Sequence, residues 1–591
     1  MRKDIKLIST FTKAVIISCF LTINQSNAEQ NLKITVQNPV SENISQYWQV
    51  FINTRGEDGL YNESPDYDIE MVLPDFSFSG FKRGLDTYKL GDDPNATVFN
   101  VLDYGIVPDD QHSDKTKIKL LLKHIKNQQD AGIVDKAILY FPSGTYITNA
   151  LSDLIDFHDA DSASLTEDQP IFIESDNLVV KGDGIGETIL LMTHHLLPVN
   201  PDQYWTTPYL FQVGKRVKEN ELSTTITSRS GPNTTYTITV SDSTGFSVGD
   251  NVEIKGLSTD IGKVVETISP YLLEHEPSEP GNYVWQNLVD GINKIEKHKI
   301  KSISGNELEF YTPVAHTIED GFSWTLTSIN SSQNVGFKDL TFAGSWDEVF
   351  EHHKNALHDS GYSLLEFNNI NNSWVYNVEF KDFNQGLNLK NSFNVTAEDV
   401  LLTGNPGHMA LSIMHSNNNL TVNVSDGAST WHAPGFSKYS ISNVHSGLSF
   451  DQTSSPDLHG EQSMYNLFDR MVGGWVYGRW GASIANQPNH LKGLIFWNSE
   501  NLTPTSAPFE FMRSTSEYGK IVMPYIIGMV GEPIEFETQR TYAQAMNEQQ
   551  RADYSPLLPP IPQAHIESNG QYIYPLSLYH AQRELRRQSG Q

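Results

Sequence analysis

The sequence predicts an all-β fold, a right-handed single-stranded parallel β-helix with an N-terminal capping helix and an inserted small β-rich module. Two patterns in the 591 residues support this prediction. Polar–aliphatic pairs recur at a spacing near 22 residues, about the length of one β-helix coil with three short strands and three turns. Residues 99–147 contain, in order, a strand, an acidic turn, an amphipathic helix and two strands separated by a Pro/Gly turn.

Residues 1–28 have the features of a secretory signal peptide. Four Lys/Arg residues precede the apolar run Ala14–Ile23, and Ser26-Asn27-Ala28 is a small-x-small cleavage site. The run is shorter than the ~20 residues of a membrane span, and no later stretch qualifies. Cys19, the only cysteine, offers lipoprotein anchoring as an alternative, which the continuation of the run to Ile23 disfavours. We expect a secreted or periplasmic protein.

The composition bounds the partners of the chain. A formal charge of −30 disfavours nucleic acid, because phosphates would be repelled. Hydrophobic residues at 38% and charged residues at 19% are sufficient for a large core. Aromatic residues at 11% suit a protein that stacks on sugars or packs wide sheets. A polysaccharide is therefore the expected partner.

The N-terminal half divides into an extended segment, 29–95, and the first coils, 96–214. Alternate aromatic residues in Leu73–Phe81 predict an extended segment that docks on the main body. Phe99–Gly105 is a predicted strand, and an acidic turn then begins a helix with apolar residues at Ile118, Leu121, Leu122 and Ile125. Strands flank the Pro142-Ser143-Gly144 turn, and glycine turns continue the pattern to residue 214.

This opening order resembles that of right-handed parallel β-helices of the pectate-lyase superfamily. The resemblance implies that the helix caps the first coil and protects its exposed edge. The ending Pro575–Gln582 resembles the tail of a family of secreted bacterial β-helix proteins with an uncharacterised C-terminal region, as does Leu73–Phe81. The resemblance concerns fold more than activity, because lyases and hydrolases both occur on this scaffold.

Residues 215–325 interrupt the repeat and predict the inserted β-rich module. Short strands are expected at Tyr236–Val240, Asn251–Ile254 and Glu307–Tyr311. A rigid insertion that shapes one wall of a cleft is favoured over a carbohydrate-binding role.

The repeat returns in residues 326–515, the predicted C-terminal coils and location of the active site. The pairs there have spacings of 38, 22, 22 and 22 residues: Asp339-Leu340, Asn377-Val378, Asp399-Val400, Thr421-Val422 and Asn443-Val444. Residues 516–591 are predicted as an extended tail, with Pro556, Pro559, Pro560 and Pro562 and a short closing helix over Leu576–Arg587.

Candidate catalytic residues are sought in the later coils, where side chains from neighbouring coils align ~4.8 Å apart. The densest group is Asp457–Glu461 with Asp469-Arg470 and Trp475–Trp480. If His459 and Glu461 alternate along a strand, they share a face, and Gly460 permits close approach of a sugar. The predicted catalytic set and the predicted substrate-binding set are respectively His459, Glu461, Asp469 and Arg479, and Arg470, Trp480, Trp431, His415 and His408.

The competing interpretation of these residues is structural: turn-holding polar groups, an arginine paired with a carboxylate, and core tryptophans. A second, weaker set covers Trp346–Glu348, Glu351–Lys354 and His358-Asp359, where a helical turn would bring His353 near Asp359. The alternative there is a solvated loop over the cleft.

Metal spacing is weak. The sequence has no His-x-x-x-His, no His-Glu-x-x-His and no cysteine ligand in the predicted mature chain. No cofactor is assigned with certainty, the metal ligands are unknown, and Ca²⁺ stays open because some β-helix lyases use it and acidic residues are plentiful.

Three functions remain open. The first, slightly favoured by the His/Arg-rich group, is a polysaccharide lyase, in which His459 removes the C5 proton of a uronate and Arg470 and Arg479 bind carboxylate or sulfate. The second is a glycoside hydrolase that uses Glu461 and Asp469, with Asp451 or Asp457 as replacements. The third is a non-catalytic glycan-binding β-helix.

Overall fold

The computed structural model describes residues 43–56, 58–62, 71–85, 90–154, 169–216, 221–269, 285–476, 479–505, 508–511, 520–536, 539–540 and 561–590. The predicted signal peptide, with Cys19, and the prolines Pro556, Pro559 and Pro560 lie outside these ranges. Within these ranges, no helix combines the length and the apolar character that crossing a membrane requires.

The fold is an all-β parallel β-helix, which confirms the predicted fold class. Successive coils add strands to two long parallel sheets. The larger, sheet A, has fifteen strands within the described residues: Thr97–Asn100, Ala137–Tyr140, Gly144–Asn149, Leu178–Lys181, Thr188–Met192, Gly336–Ala343, Trp374–Lys381, Thr396–Thr403, Leu420–Asp426, Val444–Ser446, Leu467–Asp469, Val472–Gly473, Ile495–Asn501, Tyr525–Gly531 and His565–Asn569.

Sheet B and a short third face complete each coil. Sheet B has seven described strands: Ile171–Ile173, Phe211–Val213, Ser363–Asn368, Gln385–Lys390, Met409–Met414, Ala433–Ser437 and Pro456–Leu458. The third face begins with Ser332–Gln333 and Ile370–Asn371 and continues as single bridges that link Asn371, Phe393, Asn417, Ile441 and Met464.

The register of sheet A gives the length of the central coils. Val378 pairs with Val400, and Val400 pairs with Val424, so the repeat is 22 and then 24 residues. The predicted pair Thr421-Val422 is therefore out of register by two residues. A polar–aliphatic pair recurs at two positions of a coil, and spacing alone does not distinguish them.

Buried aliphatic and aromatic side chains fill the space between the sheets. Phe342 stacks on Phe380 with ring centroids 5.5 Å apart, and Phe468 stacks on Phe496 at 5.1 Å. Burial of each such side chain contributes about 1.5–3 kcal/mol. The parallel alternation of one coil on the next thus makes the core continuous along the solenoid.

A ladder of buried asparagines holds the turns that lead into sheet A. The backbone N–H of Asn419 donates to Oδ1 of Asn443 at 2.9 Å, and the N–H of Asn443 donates to Oδ1 of Asn466 at 3.0 Å. The side-chain amides of Asn443 and Asn466 donate to carbonyls of the preceding coil. These bonds satisfy backbone groups that a buried turn would otherwise leave unpaired.

Five α-helices accompany the sheets in the described ranges: α1 Gln46–Thr54, α2 Lys115–Asp130, α3 Ile261–Ile268, α4 Gln286–Asp290 and α5 Leu578–Gln588. Single helical turns occur at Val101–Tyr104, Leu151–Asp153, Leu357–Gly361 and Ile484–Asn486. The apolar face of α2 (Ile118, Leu121, Leu122 and Ile125) is buried in the solenoid core next to the first strand of sheet B. The helix therefore covers the open end of that sheet.

The inserted module is an antiparallel sheet with its own core. Its strands are Ser223–Thr225, Thr237–Thr239, Asn251–Ser258, Ile292–Ser304, Glu307–Phe310 and Ser323–Ser328. It joins the solenoid through reciprocal bonds between the Lys297 backbone and the Asn417 side chain, at 2.8 and 2.9 Å. Such an attachment suits a rigid wall.

The solenoid extends past residue 515, where the sequence pattern predicted its end. Tyr525–Gly531 and His565–Asn569 continue sheet A, so the boundary at 516 is wrong. The long loops between these strands hide the period. A further antiparallel pair joins Gln539–Arg540 and Ile561–Pro562.

Helix α5 closes the C-terminus against the Leu73–Phe81 segment. The Gln582 side chain accepts from the N–H of Phe76 at 2.9 Å and donates to the carbonyl of Pro74. Phe76, Phe78 and Phe81 are buried, in agreement with docking of this segment on the main body.

Candidate functional site

Five histidines and one aspartate converge where the chain passes from sheet A to sheet B. We call this group the histidine cluster; it consists of His352, His353, His408, His432, His459 and Asp457. His408 and His432 immediately precede strands Met409–Met414 and Ala433–Ser437 of adjacent coils. Their ring centroids lie 5.2 Å apart, which is close to the spacing of neighbouring strands.

The long loop 344–362 adds His352 and His353 to this ladder. Trp346 anchors the loop because its ring is buried and its Nε1 donates to the carbonyl of Pro406 at 2.7 Å. His358, fully buried, accepts from the N–H of Glu351 through Nδ1 and donates from Nε2 to Glu348. Both nitrogens of His358 therefore have structural partners, and the loop is held over the coils.

Asp359 orients two of the imidazoles. Its carboxylate accepts from Nδ1 of His353 at 2.6 Å and from the His353 backbone N–H at 2.9 Å. Its backbone carbonyl accepts from Nδ1 of His408 at 2.9 Å. The proximity of His353 and Asp359 expected from the sequence is confirmed, within a single helical turn. The hydrogen bonds assign the proton to Nδ1 in both rings and leave each Nε2 as a lone-pair donor.

The second half of the cluster surrounds Asp457. Nδ1 of His459 lies 3.3 Å from the Asp457 carboxylate, and Nδ1 of His432 lies 3.5 Å from the same oxygen. Burial raises the pKa of Asp457, although His459 opposes this. Burial lowers the pKa of His459, but the Asp457 carboxylate outweighs it, so that pKa is above its ordinary value. The His459 side chain keeps 37% of its surface exposed, while that of Asp457 keeps 3%.

Trp431 and Arg479 form the aromatic and cationic edge of the cluster. The Arg479 guanidinium carbon lies 3.5 Å from the centroid of the Trp431 ring. The imidazole of His352 stacks on Trp431, with centroids 4.9 Å apart and ring planes at 16°. This edge presents an aromatic surface and a positive charge beside His459 and His432.

The other imidazoles of the cluster are held neutral. Burial and the adjacent His353 lower the pKa of His352 to about 4. Burial also lowers the pKa of His408 and, more strongly, that of His432. Neutral rings can donate lone pairs to a cation or accept protons, whereas protonated rings cannot.

The structure brings together four of the nine predicted site residues: His459, Arg479, Trp431 and His408. It separates the predicted catalytic trio of His459, Glu461 and Asp469. The strand that precedes His459 ends at Leu458, and Gly460 adopts φ +64°, so His459 and Glu461 are not alternate residues of one strand. Instead, the Tyr439 hydroxyl donates to Glu461. The space beside Gly460 is occupied by the Asn486 backbone and not by an open path for a sugar.

Asp469 has a structural role at the start of helix α5. It is fully buried, and it accepts from the Ser577 hydroxyl and from the N–H of Leu578 at 3.0 Å. Burial raises its pKa to about 6. Arg470 follows it on sheet A, beside Gly447 of the preceding coil. The expectation that these two residues face a sugar with His459 is therefore wrong.

Trp480 and His415 also lie outside the cluster. Trp480 is 3% exposed and packs in the core against Trp475 and Phe509, with centroid separations of 5.8 and 5.5 Å. His415 follows the far end of strand Met409–Met414, about 20 Å from His408 at the rise of a β-strand. Its ring packs on Tyr439 at 5.2 Å, and burial lowers its pKa to about 3.

Sequence reasoning treated His352 and His353 as a separate, weaker set and did not recognise Asp359 as the residue that orients two rings. One usable signal was present: His408 and His432 are 24 residues apart, the observed coil length. The contribution of the 344–362 loop carried no periodic signal, because a loop of that length can fold in many directions.

Two cavities in the described part of the chain lie away from the histidine cluster. One, of about 480 Å³, is lined by five basic residues and no carboxylate; the basic residues are Lys82, Arg83, Lys299, Arg586 and Arg587. The other, of about 560 Å³, is lined in part by Asp451, Glu500 and Glu532. The cluster lies at the surface, with His352 and His353 exposed, so its chemistry identifies it better than concavity does.

Comparison with known proteins concerns both the C-terminal region and the fold. A family model described as a domain of unknown function (DUF4955) matches residues 429–556, which contain Trp431, His432, His459 and Arg479. The comparison with curated proteins gives no match.

Several solved structures are similar to this chain. The tailspike protein gp49 from Pseudomonas phage LKA1 is 11% identical over 74% of this chain and 77% of its own, with a TM-score of 0.39. The gp54 tailspike of Acinetobacter baumannii bacteriophage AP22, solved with a capsular saccharide, is 12% identical over 73% and 75%, with a TM-score of 0.26. The A-module of mannuronan C-5 epimerase AlgE4 from Azotobacter vinelandii is 12% identical over 74% and 90%, with a TM-score of 0.29. The similarity concerns the fold alone, and membership of the pectate-lyase superfamily stays a prediction.

Proposed function

We propose that this protein is a secreted or periplasmic enzyme that cleaves an acidic, uronate-containing polysaccharide by β-elimination at the histidine cluster. The observation that carries the proposal is the exposed His459 imidazole held against the buried Asp457 carboxylate, with Arg479 stacked beside it on Trp431. The proposal includes the export predicted from residues 1–28.

His459 is the proposed base. Asp457 receives the proton of Nδ1, which leaves Nε2 to remove the C5 proton of the uronate. The electron pair of the C5–H bond forms the C4–C5 double bond, the C4–O bond breaks, and the leaving oxygen takes a proton. The raised pKa of His459 makes it a stronger base than an isolated imidazole.

Arg479 is proposed to neutralise the uronate carboxylate. A guanidinium pairs with a carboxylate through two parallel hydrogen bonds, and this pairing lowers the cost of charge that develops at C5. Trp431 supplies the apolar face on which a sugar ring can stack, and it holds Arg479 in place.

The hydrolase alternative has less support. It requires two carboxylates on either side of a glycosidic bond. Of the pairs considered from the sequence, Asp469 holds helix α5 and Glu461 binds Tyr439. Asp457, in the cluster, is committed to His459 and His432.

The experiment is a digestion of uronate-containing polysaccharides followed by ultraviolet absorbance of the unsaturated uronate and by reducing-end counts. Wild type should produce both signals. His459→Gln should lower turnover by at least about 100-fold, the range of a lost general base, with an unchanged thermal midpoint. Reducing ends without absorbance would replace elimination by hydrolysis.

A specific observation favours a second function, acidic-glycan binding without cleavage. The cavity of about 480 Å³ with five basic residues lies in a protein of charge −30. Lys82 and Lys299 line it, so the Lys82→Ala/Lys299→Ala double variant should weaken retention on an acidic-glycan column if this cavity is the binding surface. Retention lost in that variant, without cleavage by wild type, would favour a binding protein.

A further inference from the structure

We infer that His352, His353 and His408 form a binding site for one divalent transition-metal ion of the zinc type. The inference concerns metal binding by the folded chain, and it does not depend on the proposed reaction.

The first argument is convergence. One ligand nitrogen from each of the three residues lies within 4.8 Å of the other two. The ring centroids of His352 and His353 are 3.7 Å apart, and those of His352 and His408 are 5.2 Å apart. A tetrahedral ion with bonds of about 2.0–2.1 Å brings its ligand nitrogens to roughly 3.4 Å, so the rings need to close by about 1 Å. The exposed loop that carries His352 and His353 can supply that movement.

The second argument is orientation. Metal-binding histidines ordinarily donate their other N–H to a carboxylate or a backbone carbonyl. Asp359 provides both kinds of acceptor, its carboxylate to Nδ1 of His353 and its carbonyl to Nδ1 of His408. One fully buried residue thus sets the tautomer of two rings and directs the Nε2 lone pairs of both to other partners.

The third argument is the unpartnered nitrogen of His408. The residue is 7% exposed, and its Nε2 has no hydrogen-bond partner among the described residues. A buried lone pair without a partner costs about 1–3 kcal/mol. The neighbouring rings of His352 and His353 are the groups with which this nitrogen can share a cation.

The donor atoms select the ion. Imidazole nitrogen suits Zn²⁺, Cu²⁺, Ni²⁺ and Fe²⁺, whereas Ca²⁺ takes six to eight oxygen ligands. The cluster therefore does not suit the Ca²⁺ kept open from the sequence. Three protein ligands leave a fourth position of a tetrahedral ion for water or another small ligand.

The test measures zinc bound by the full-length mature protein after removal of metal with EDTA. Zn²⁺ alone is titrated calorimetrically, and zinc retained after dialysis is counted by atomic emission. Wild type should retain one equivalent. His352→Ala and His353→Ala alter exposed loop residues, and each should weaken zinc binding at least 10-fold. Asp359→Asn should weaken it by about 10–100-fold, the range of a lost orienting partner.

The matched control is His194→Ala. His194 and His195 are also adjacent histidines, with ring centroids 4.4 Å apart, but no third ligand joins them among the described metal-binding groups. This variant should bind zinc as wild type does. Co²⁺ in place of Zn²⁺ should give visible absorption bands of a four- or five-coordinate ion in wild type and in the control.

Three outcomes would overturn the inference: no zinc retained by wild type, equal affinity in wild type and His353→Ala, or affinity lost only in Asp457→Asn. The last outcome would assign the ion to the neighbouring group of His432, Asp457 and His459. Activity is not needed for any of these readouts, so failure of the proposed elimination reaction leaves them unaffected.

Discussion

Gly481 lies directly against His459. A Cβ at Gly481 would stand 2.2 Å from Nδ1 of His459 and 2.3 Å from Oδ1 of Asp457, closer than any van der Waals contact allows. Glycine at this position therefore permits the loop after Arg479 to cover the His459–Asp457 pair.

Gly481→Ala is expected to separate this pair and lower turnover at least 10-fold. The backbone at Gly481 has φ +76°, so the substitution also costs about 1–2 kcal/mol from conformation alone. Gly186→Ala is the matched control, because Gly186 has the same φ of +76° and nothing within 4 Å of its Cβ position. Equal activity losses in the two variants would contradict the prediction.

Arg479→Lys should raise KM for an acidic polysaccharide by about 10-fold or more. Lysine keeps the charge but loses the planar stack on Trp431 and the paired hydrogen bonds to a carboxylate, which are worth about 1.5–3 kcal/mol. Arg216→Lys provides the comparison, since Arg216 stacks on Phe172 at 3.9 Å away from the cluster. Initial rates across substrate concentrations give the measurement; an unchanged KM in Arg479→Lys would remove this arginine from substrate recognition.

Asp469→Ala should lower the free energy of unfolding by about 2–3 kcal/mol and leave activity unchanged. The substitution removes the acceptor for the Ser577 hydroxyl and the Leu578 N–H, so two buried donors lose their partner. Faster hydrogen exchange should be confined to helix α5 and the segment it covers. Asp451→Ala, which removes one turn hydrogen bond to Thr453, should cost less than about 1 kcal/mol. Loss of activity with native stability in Asp469→Ala would restore the catalytic role expected from the sequence.

His445→Phe should reduce the loss of stability in acid. Burial between Phe436 and Phe468 lowers the pKa of His445 to about 3, whereas an unfolded histidine titrates near 6.5. Between those values the unfolded chain binds a proton that the folded chain does not, so stability falls as pH falls below about 6.5, by up to about 1.4 kcal/mol per pH unit.

Phenylalanine keeps the aromatic stack and removes this titration. Urea unfolding at several pH values between about 4.5 and 7.5 should therefore show a shallower pH dependence in His445→Phe than in wild type. Parallel curves for the two proteins would show that His445 does not contribute to acid sensitivity.

The sequence alone determined the fold class, because a β-helix repeats the same local problem in every coil. Each coil buries inward aliphatic side chains and turns at polar residues, so the pattern near 22 residues and the helix with Ile118 and Leu122 were both predictable. The alternate aromatics of Leu73–Phe81 likewise predicted a docked segment. Register was less predictable: the two-residue error at Thr421-Val422 arose because coil length changes from 22 to 24.

The tertiary structure alone decided which residues share the site. Neighbours in sequence, His459 and Glu461, were separated by one left-handed glycine, and Asp469 was drawn to a helix that begins more than a hundred residues later. His353, His408 and His459 come from a loop and two further coils, and no pairwise spacing along the chain specifies their convergence. Local patterning determines that coils form, because it reports burial residue by residue; which side chains face one another depends on how many residues each turn contains and where each long loop lands.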